Sequence, residues 1–151
     1  LYRLARQDVV DDGHALPLDE AVVLREGDDV TLVTWGAMVH DTLRAADLLM
    51  QEKVSCEVID LSSLSPIDHD TILESVAHTG RLVIVHEAAR NIGLGAEIAA
   101  TVAEKALYDL LAPVVRVTGY DTVMPYFALE RSYIPSVARI VEVRPFPEAR
   151  L

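Results

Sequence analysis

The feature that most constrains this chain is a strand–helix alternation that starts near Val30 and repeats three times. Residues 30–35 are β-branched and aromatic and end at Gly36, which predicts a strand. Residues 37–51 then place Val39, Leu43, Ala46 and Met50 at helical spacing, with Leu49 beside them. A second strand is predicted over 54–61 and a loop over 62–66. Asp68 suits the N-cap of a helix that turns Ile72, Leu73, Val76 and Ala77 inward. His78-Thr79-Gly80 ends that helix, with Gly80 free to take a left-handed C-terminal conformation. The run Leu82-Val83-Ile84-Val85 is apolar throughout, as in a strand covered on both faces. A loop over 86–94 leads to a third helix from Gly95 to Tyr108, with Ala99, Val102 and Ala106 inward and Ile98 alongside. Pro113 precedes a fourth core strand over 114–118.

Around this core, residues 21–24 predict a short edge strand, 127–130 a short helix, and 137–143 a last helix or strand, with Pro145 and Pro147 ending regular structure. Such alternation folds as a mostly parallel sheet with helices on both faces, because each crossover helix buries one face. Function in such sheets sits beyond the carboxyl ends of the strands. Here those ends are Gly36, the loop 62–66, His86-Glu87 and Gly119-Tyr120-Asp121.

Composition narrows the function classes. The 151 residues are 51% hydrophobic, enough for one domain with a sizeable core. A net charge of −11 without a basic cluster argues against nucleic acid and against an anionic membrane surface. The single cysteine, Cys56, excludes an internal disulfide and a multi-cysteine metal site, and its alternation with Val54 and Val58 predicts a buried apolar role. No apolar run approaches the roughly 18 residues that span a bilayer. Residues 1–20 are polar and turn-rich, with a turn at Asp11-Asp12-Gly13-His14. With Leu1 rather than Met at the start, they predict an arm leading from an upstream domain, and 21–151 the domain itself.

Several motifs carry two readings. Gly93-Leu94-Gly95 opens a helix and could bring backbone N–H groups to a phosphate. The third small residue of the dinucleotide fingerprint is missing, since Ile98 stands there, which favours a tight packed loop. His86-Glu87 lacks the second histidine of a zinc-protease helix, because Arg90 occupies that place. A polar interface pair is favoured over acid–base work. Asp68-His69-Asp70 reads as an acidic first turn rather than a ligand cluster. Trp35, at a strand end, reads as core. No nucleophile elbow and no Gly-Lys-Ser/Thr phosphate loop occurs. The stretch from Gly119 through Tyr120, Asp121, Met124, Pro125, Tyr126 and Phe127 to Tyr133 combines aromatics with stiffening prolines, and predicts a docking surface.

The chain resembles a known family. Arg25-Glu26-Gly27-Asp28-Asp29-Val30-Thr31-Leu32-Val33-Thr34-Trp35-Gly36 resembles the start of the C-terminal domain in the β subunit of 2-oxoacid dehydrogenase complexes. In order, Cys56-Glu57-Val58-Ile59-Asp60-Leu61, Leu64-Ser65-Pro66-Ile67-Asp68, Thr79-Gly80-Arg81-Leu82, His86-Glu87-Ala88, Gly93-Leu94-Gly95-Ala96-Glu97-Ile98, Arg116-Val117-Thr118-Gly119-Tyr120-Asp121 and Tyr133-Ile134-Pro135 continue it, from about residue 16 to 143. The His-Glu-Ala and Gly-Tyr-Asp-Thr forms resemble the branched-chain enzymes more than the pyruvate enzymes.

The resemblance implies a three-layer α/β/α transketolase C-terminal-like domain, with a five-stranded, mostly parallel sheet containing one antiparallel strand. It implies an α2β2 enzyme that uses thiamine diphosphate and magnesium to decarboxylate a 2-oxoacid and acylate a lipoyl group. The family's catalytic and cofactor residues in this subunit lie in its N-terminal half, so none is assigned to residues 1–151, and this segment alone is expected to be inactive. What carries over is assembly: contacts with the α subunit and a second β subunit through His86, Glu87, Gly93, Gly95, Tyr120, Asp121, Met124, Pro125, Tyr126, Phe127 and Tyr133, and self-association of the isolated segment. A lipoyl acyltransferase core would dock where the family has an acidic residue before Ala-Pro. Here that residue is Leu111, with Asp109 two places earlier. The expected compartment is the cytoplasm of a bacterium or the mitochondrial matrix of a eukaryote. Two rivals are a nucleotide- or anion-binding module built on Gly93-Leu94-Gly95, and the matching domain of another thiamine enzyme such as transketolase.

Overall fold

Five strands and five helices follow one another along a computed structural model that describes residues 12–13 and 15–143. The strands are β1 (Val22–Arg25), β2 (Val30–Thr34), β3 (Cys56–Asp60), β4 (Leu82–Ala89) and β5 (Val115–Gly119). The helices are α1 (Met38–Gln51), α2 (His69–Thr79), α3 (Leu94–Lys105), α4 (Glu130–Tyr133) and α5 (Val137–Glu142), with single 3-10 turns at Leu107–Asp109 and Phe127–Leu129. Most of the expected arm, His14 of the first turn, and Pro145 and Pro147 lie outside the described residues.

The sheet order is β1-β3-β2-β4-β5. Strands β3, β2, β4 and β5 run parallel, and β1 closes one edge antiparallel to β3. Alternation along each strand divides the core in two. Val30, Leu32, Val83, Val85 and Val117 face α1 and α5. Val33, Ile59, Leu82 and Ile84 face α2 and α3 with Ile72, Val76, Ile98 and Val102. This is the three-layer α/β/α arrangement.

The helix signals hold at α2. The Asp68 side chain accepts from the Thr71 amide at 3.0 Å, and Gly80 ends the helix at φ 70°. Asp68 also accepts from the Ala21 amide at 2.9 Å, which ties the entry of β1 to the start of α2. Burial alone would raise this carboxyl, but the hydrogen bonds from Ala21, Thr71 and Asp70 hold it below its ordinary range.

Three expectations are corrected. The inward face of α1 is Met38, Thr42, Ala45, Ala46 and Leu49, while Met50 is exposed and Val39 and Leu43 are half-buried. The stripe is turned by one residue because small Ala45 and polar Thr42 sit against the sheet, where periodicity weights Leu and Val. In α2 the buried residues are Ile72, Ser75, Val76 and Thr79, and Ala77 is exposed. Ser75 and Thr79 are drawn inward by the Thr31 hydroxyl, at 2.6 and 2.7 Å. Helix α3 stops at Lys105, and a 3-10 turn replaces its expected last turn.

Candidate functional site at the carboxyl ends of the strands

The chain leaves β2 toward α1 on one face and leaves β4 toward α3 on the other. Neighbouring loops that part in this way open a crevice between the two strand ends. In this protein the crevice is filled from within. The Trp35 and His86 rings stack there, with centroids 5.2 Å apart and planes 11° from parallel.

His86 corrects the loop expected from residue 86. Strand β4 runs on to Ala89, and the imidazole continues the inward alternation of Leu82 and Ile84 at 1% exposure. The interface pair is therefore split: Glu87 is exposed, and the His86 side chain is enclosed. Half-buried Trp35 covers one ring face. A Cβ on Gly95 would lie 2.5 Å from His86 Nε2, and one on Gly93 would lie 2.8 Å from its Cε1. The two glycines thus exist to seat the ring, which accounts for them without a phosphate. Neither His86 nitrogen has a hydrogen-bond partner among the described residues. Burial first, and then the nearby Arg116 charge, pull the imidazole below its ordinary range. The Ala88 backbone acts in the opposite sense without reaching hydrogen-bond geometry. The ring is held neutral, apolar in use if not in composition.

The rest of the expected surface spreads outward from this point. Gly119 ends β5 with no room for a side chain, since a Cβ there would stand 2.6 Å from Tyr133 Cε1. Tyr133 is buried at 7% exposure, so it supports the surface rather than presenting itself. The Arg139 guanidinium donates to the Thr118 carbonyl at 2.7 Å and lies 4.6 Å over the Tyr120 ring. Asp121 is exposed and accepts from the Asn91 amide at 2.7 Å, which links the loop before α3 to the segment after β5. Pro125 is half-buried, Met124 is 52% exposed and Tyr126 97%. Phe127 opens the 3-10 turn Phe127–Leu129. Val123, inside the predicted docking stretch, is exposed as well, and so are Ile92 and Leu129, which sequence reasoning did not single out.

Leu111 and Asp109 lie at the other end of the sheet. The Leu111 amide donates to the Gly80 carbonyl at 2.7 Å, and its side chain rests on Gly80 yet stays largely exposed, beside exposed Leu107, Tyr108 and Asp109. Cys56 is buried, and burial pushes its thiol up to about 11, so it is unreactive.

Among the described residues no group of three or more His, Cys, Asp or Glu is placed to hold a metal, and no helix is long and apolar enough to cross a membrane. The glycine loop is packed on the His86 ring rather than shaped around a phosphate.

Comparison with known proteins agrees with this geometry. The family model for the transketolase C-terminal domain matches residues 19–140. The pyruvate dehydrogenase E1 component subunit beta of Bacillus subtilis (strain 168) is 42% identical over 142 residues, which is 94% of this chain and 44% of that protein. The same subunit of Leifsonia xyli subsp. xyli is 49% identical over 128 residues, or 85% of this chain and 38% of that protein. A solved split-gene transketolase, described as an inactive β4 tetramer, matches with a TM-score of 0.76 and 32% identity over 90% of this chain and 43% of its own. A 2-oxoglutarate:ferredoxin oxidoreductase from Magnetococcus marinus shares the fold alone, at a TM-score of 0.53 and 12% identity. The chain spans less than half the length of the curated relatives it matches. The family model over most of the chain, these relatives and a mixed sheet shared with the split-gene transketolase place the chain in the transketolase C-terminal domain family.

Proposed function

We propose that this chain is the assembly domain of the β subunit of a thiamine-dependent 2-oxoacid dehydrogenase, of pyruvate or branched-chain type. It holds that subunit against a second β subunit and an α subunit in an α2β2 enzyme. Thiamine diphosphate and magnesium bind in the other half of the subunit and in the α chain, and the segment is inactive by itself. The enzyme works in the cytoplasm of a bacterium or the mitochondrial matrix of a eukaryote.

The observation that carries this reading is the rim at the carboxyl ends of the strands. Val123, Met124, Tyr126 and Leu129 are 89%, 52%, 97% and 62% exposed there, four apolar side chains within seven residues, and exposed apolar surface gathered in one place marks an interaction site. Tyr and Met are favoured at interface cores. The opposite end, with exposed Tyr108, Asp109 and Leu111, offers a separate face for the lipoyl acyltransferase core.

The test uses the full-length subunit that carries this domain, with its α partner. Tyr126→Asp should lower assembly of the heterotetramer about tenfold or more in sedimentation equilibrium, as loss of an aromatic anchor does, and lower 2-oxoacid decarboxylation in step. Tyr108→Asp should leave assembly intact and weaken capture by the acyltransferase core. Unchanged assembly in Tyr126→Asp would refute the reading.

A further inference from the structure

Ile92 stands apart on the carboxyl rim. It is β-branched, yet its φ is 61°, in the left-handed region that suits Gly, Asn or Asp. It is also fully exposed, at 103%. Neither property is rewarded inside the chain, since an exposed side chain buries no surface that would offset the backbone conformation.

The loop around it is held rigidly. On one side the Asn91 amide is bound by the Asp121 carboxylate at 2.7 Å. On the other, Gly93 lies against the enclosed His86 ring and the Ala89 carbonyl, and α3 begins at once with Leu94. The enclosed His86 ring therefore has a job: it fixes the height from which Ile92 projects. A side chain fixed in advance loses little freedom on binding.

We propose that Ile92 is a preformed anchor for a second copy of this chain, packing against segment 123–126 of the other copy across a two-fold axis. This rests on the assembly reading above. Three observations select a second copy. The Asn91–Asp121 bond sets Ile92 beside its own segment 120–126, so one patch holds both knob and seat, as a two-fold contact requires. The chain carries a net charge of −11, and two copies repel except where charge balances locally. Beside Ile92 it is offset: the Asp121 carboxylate bound to Asn91 stands with Arg90 and Arg116, whose guanidinium groups donate to each other's backbone carbonyls at 3.0 and 2.9 Å. Finally, the split-gene transketolase that shares this fold is described as a β4 tetramer, an assembly of β chains alone.

The test compares Ile92→Asn with Tyr126→Asp in the full-length chain that carries this domain, by sedimentation velocity over a concentration series and by thermal melting of dilute protein. Asn suits a left-handed backbone, so the variant should fold at least as stably as the natural chain while self-association weakens about tenfold or more. Self-association unchanged in Ile92→Asn but lost in Tyr126→Asp would overturn the anchor and leave the assembly reading standing. No change in either variant would overturn both. Weakened binding of the α subunit with self-association intact would give the loop to the α chain and overturn the second-copy assignment.

Discussion

The two ends of the sheet handle their buried polar atoms in opposite ways. At the amino end of β2, the Thr31 hydroxyl sits 2.6 Å from Ser75 and 2.7 Å from Thr79, and the Thr79 hydroxyl reaches the Ser75 and Arg81 carbonyls at 3.1 and 3.2 Å. That cluster closes on itself. At the carboxyl end, Thr34 Oγ1, both His86 nitrogens and Arg139 Nη1 are buried without hydrogen-bond partners among the described residues. Unsatisfied buried groups are costly, so they persist where something other than stability of the lone domain decides the sequence. The amino end is finished by folding. On the assembly reading proposed above, the carboxyl end is shaped to hold a rim in place for a partner.

The largest effect separating the two ends should come from a pair of glycines. Adding one carbon at Gly95 brings it 2.5 Å from a ring that is itself enclosed by Trp35 and β4. Helix propensity alone would favour Ala over Gly by up to about 1 kcal/mol, but overpacking a rigid site costs about 3 kcal/mol. Gly95→Ala should therefore lose about 2 kcal/mol or more in urea unfolding. At the amino end, Gly80→Ala meets only the exposed Leu111 side chain, which can swing aside, so the cost is the left-handed φ of 70°, about 1 kcal/mol. Equal losses at both sites would erase the distinction between a rigid end and a yielding one.

Next in size is the amino-end cluster. Thr31→Val keeps the shape and removes a hydroxyl that bridges two others, leaving Ser75 short of a partner. A loss of about 2 kcal/mol is expected, with self-association of the full-length chain unchanged. A Thr31→Val chain that folds with natural stability would show that the cluster contributes nothing, and the contrast between the ends would fail.

How much of this could be read beforehand differs by end as well. The Asp68 cap, the Gly80 stop and the edge strand at Val22–Arg25 are local features, and local chemistry specifies them. The strand–helix order followed for the same reason. The carboxyl end was harder. His86 and Glu87 look like the start of a loop because both are polar, and only the pairing of β2 with β4 brings Trp35 over the imidazole and makes it a core residue. The glycines at 93 and 95 read as a tight packed loop, but what they pack on was not legible, because that neighbour, the His86 ring, comes from another element. Ile92 gave no signal, since nothing in an Asn-Ile-Gly string announces a left-handed isoleucine. The antiparallel setting of β1 came from the family resemblance and not from the residues.

The smallest effect is the most specific to the carboxyl end. The enclosed His86 ring has its affinity for a proton lowered from the ordinary 6.5, first by burial and then by Arg116. Trp35, the glycine loop and Ile84, which pack around it, bring no titratable group; Arg116 on β5 is the charge that acts on it. As pH falls through 6.5 the unfolded chain takes up a proton at this residue before the folded chain does. The stability that the neutral ring contributes is then complete above that pH and is lost as pH falls toward the folded value. Asp68 acts in the same direction but below its ordinary 3.8, a separate window. Melting temperature should therefore drop between pH 7 and pH 5 in the natural chain, and less so in His86→Leu. Thr31→Val, whose cluster holds no titratable group, should keep the natural slope while melting lower throughout. If His86→Leu kept the slope, the proton uptake would belong elsewhere in the chain, and the carboxyl end would lose its claim to be the one under tension.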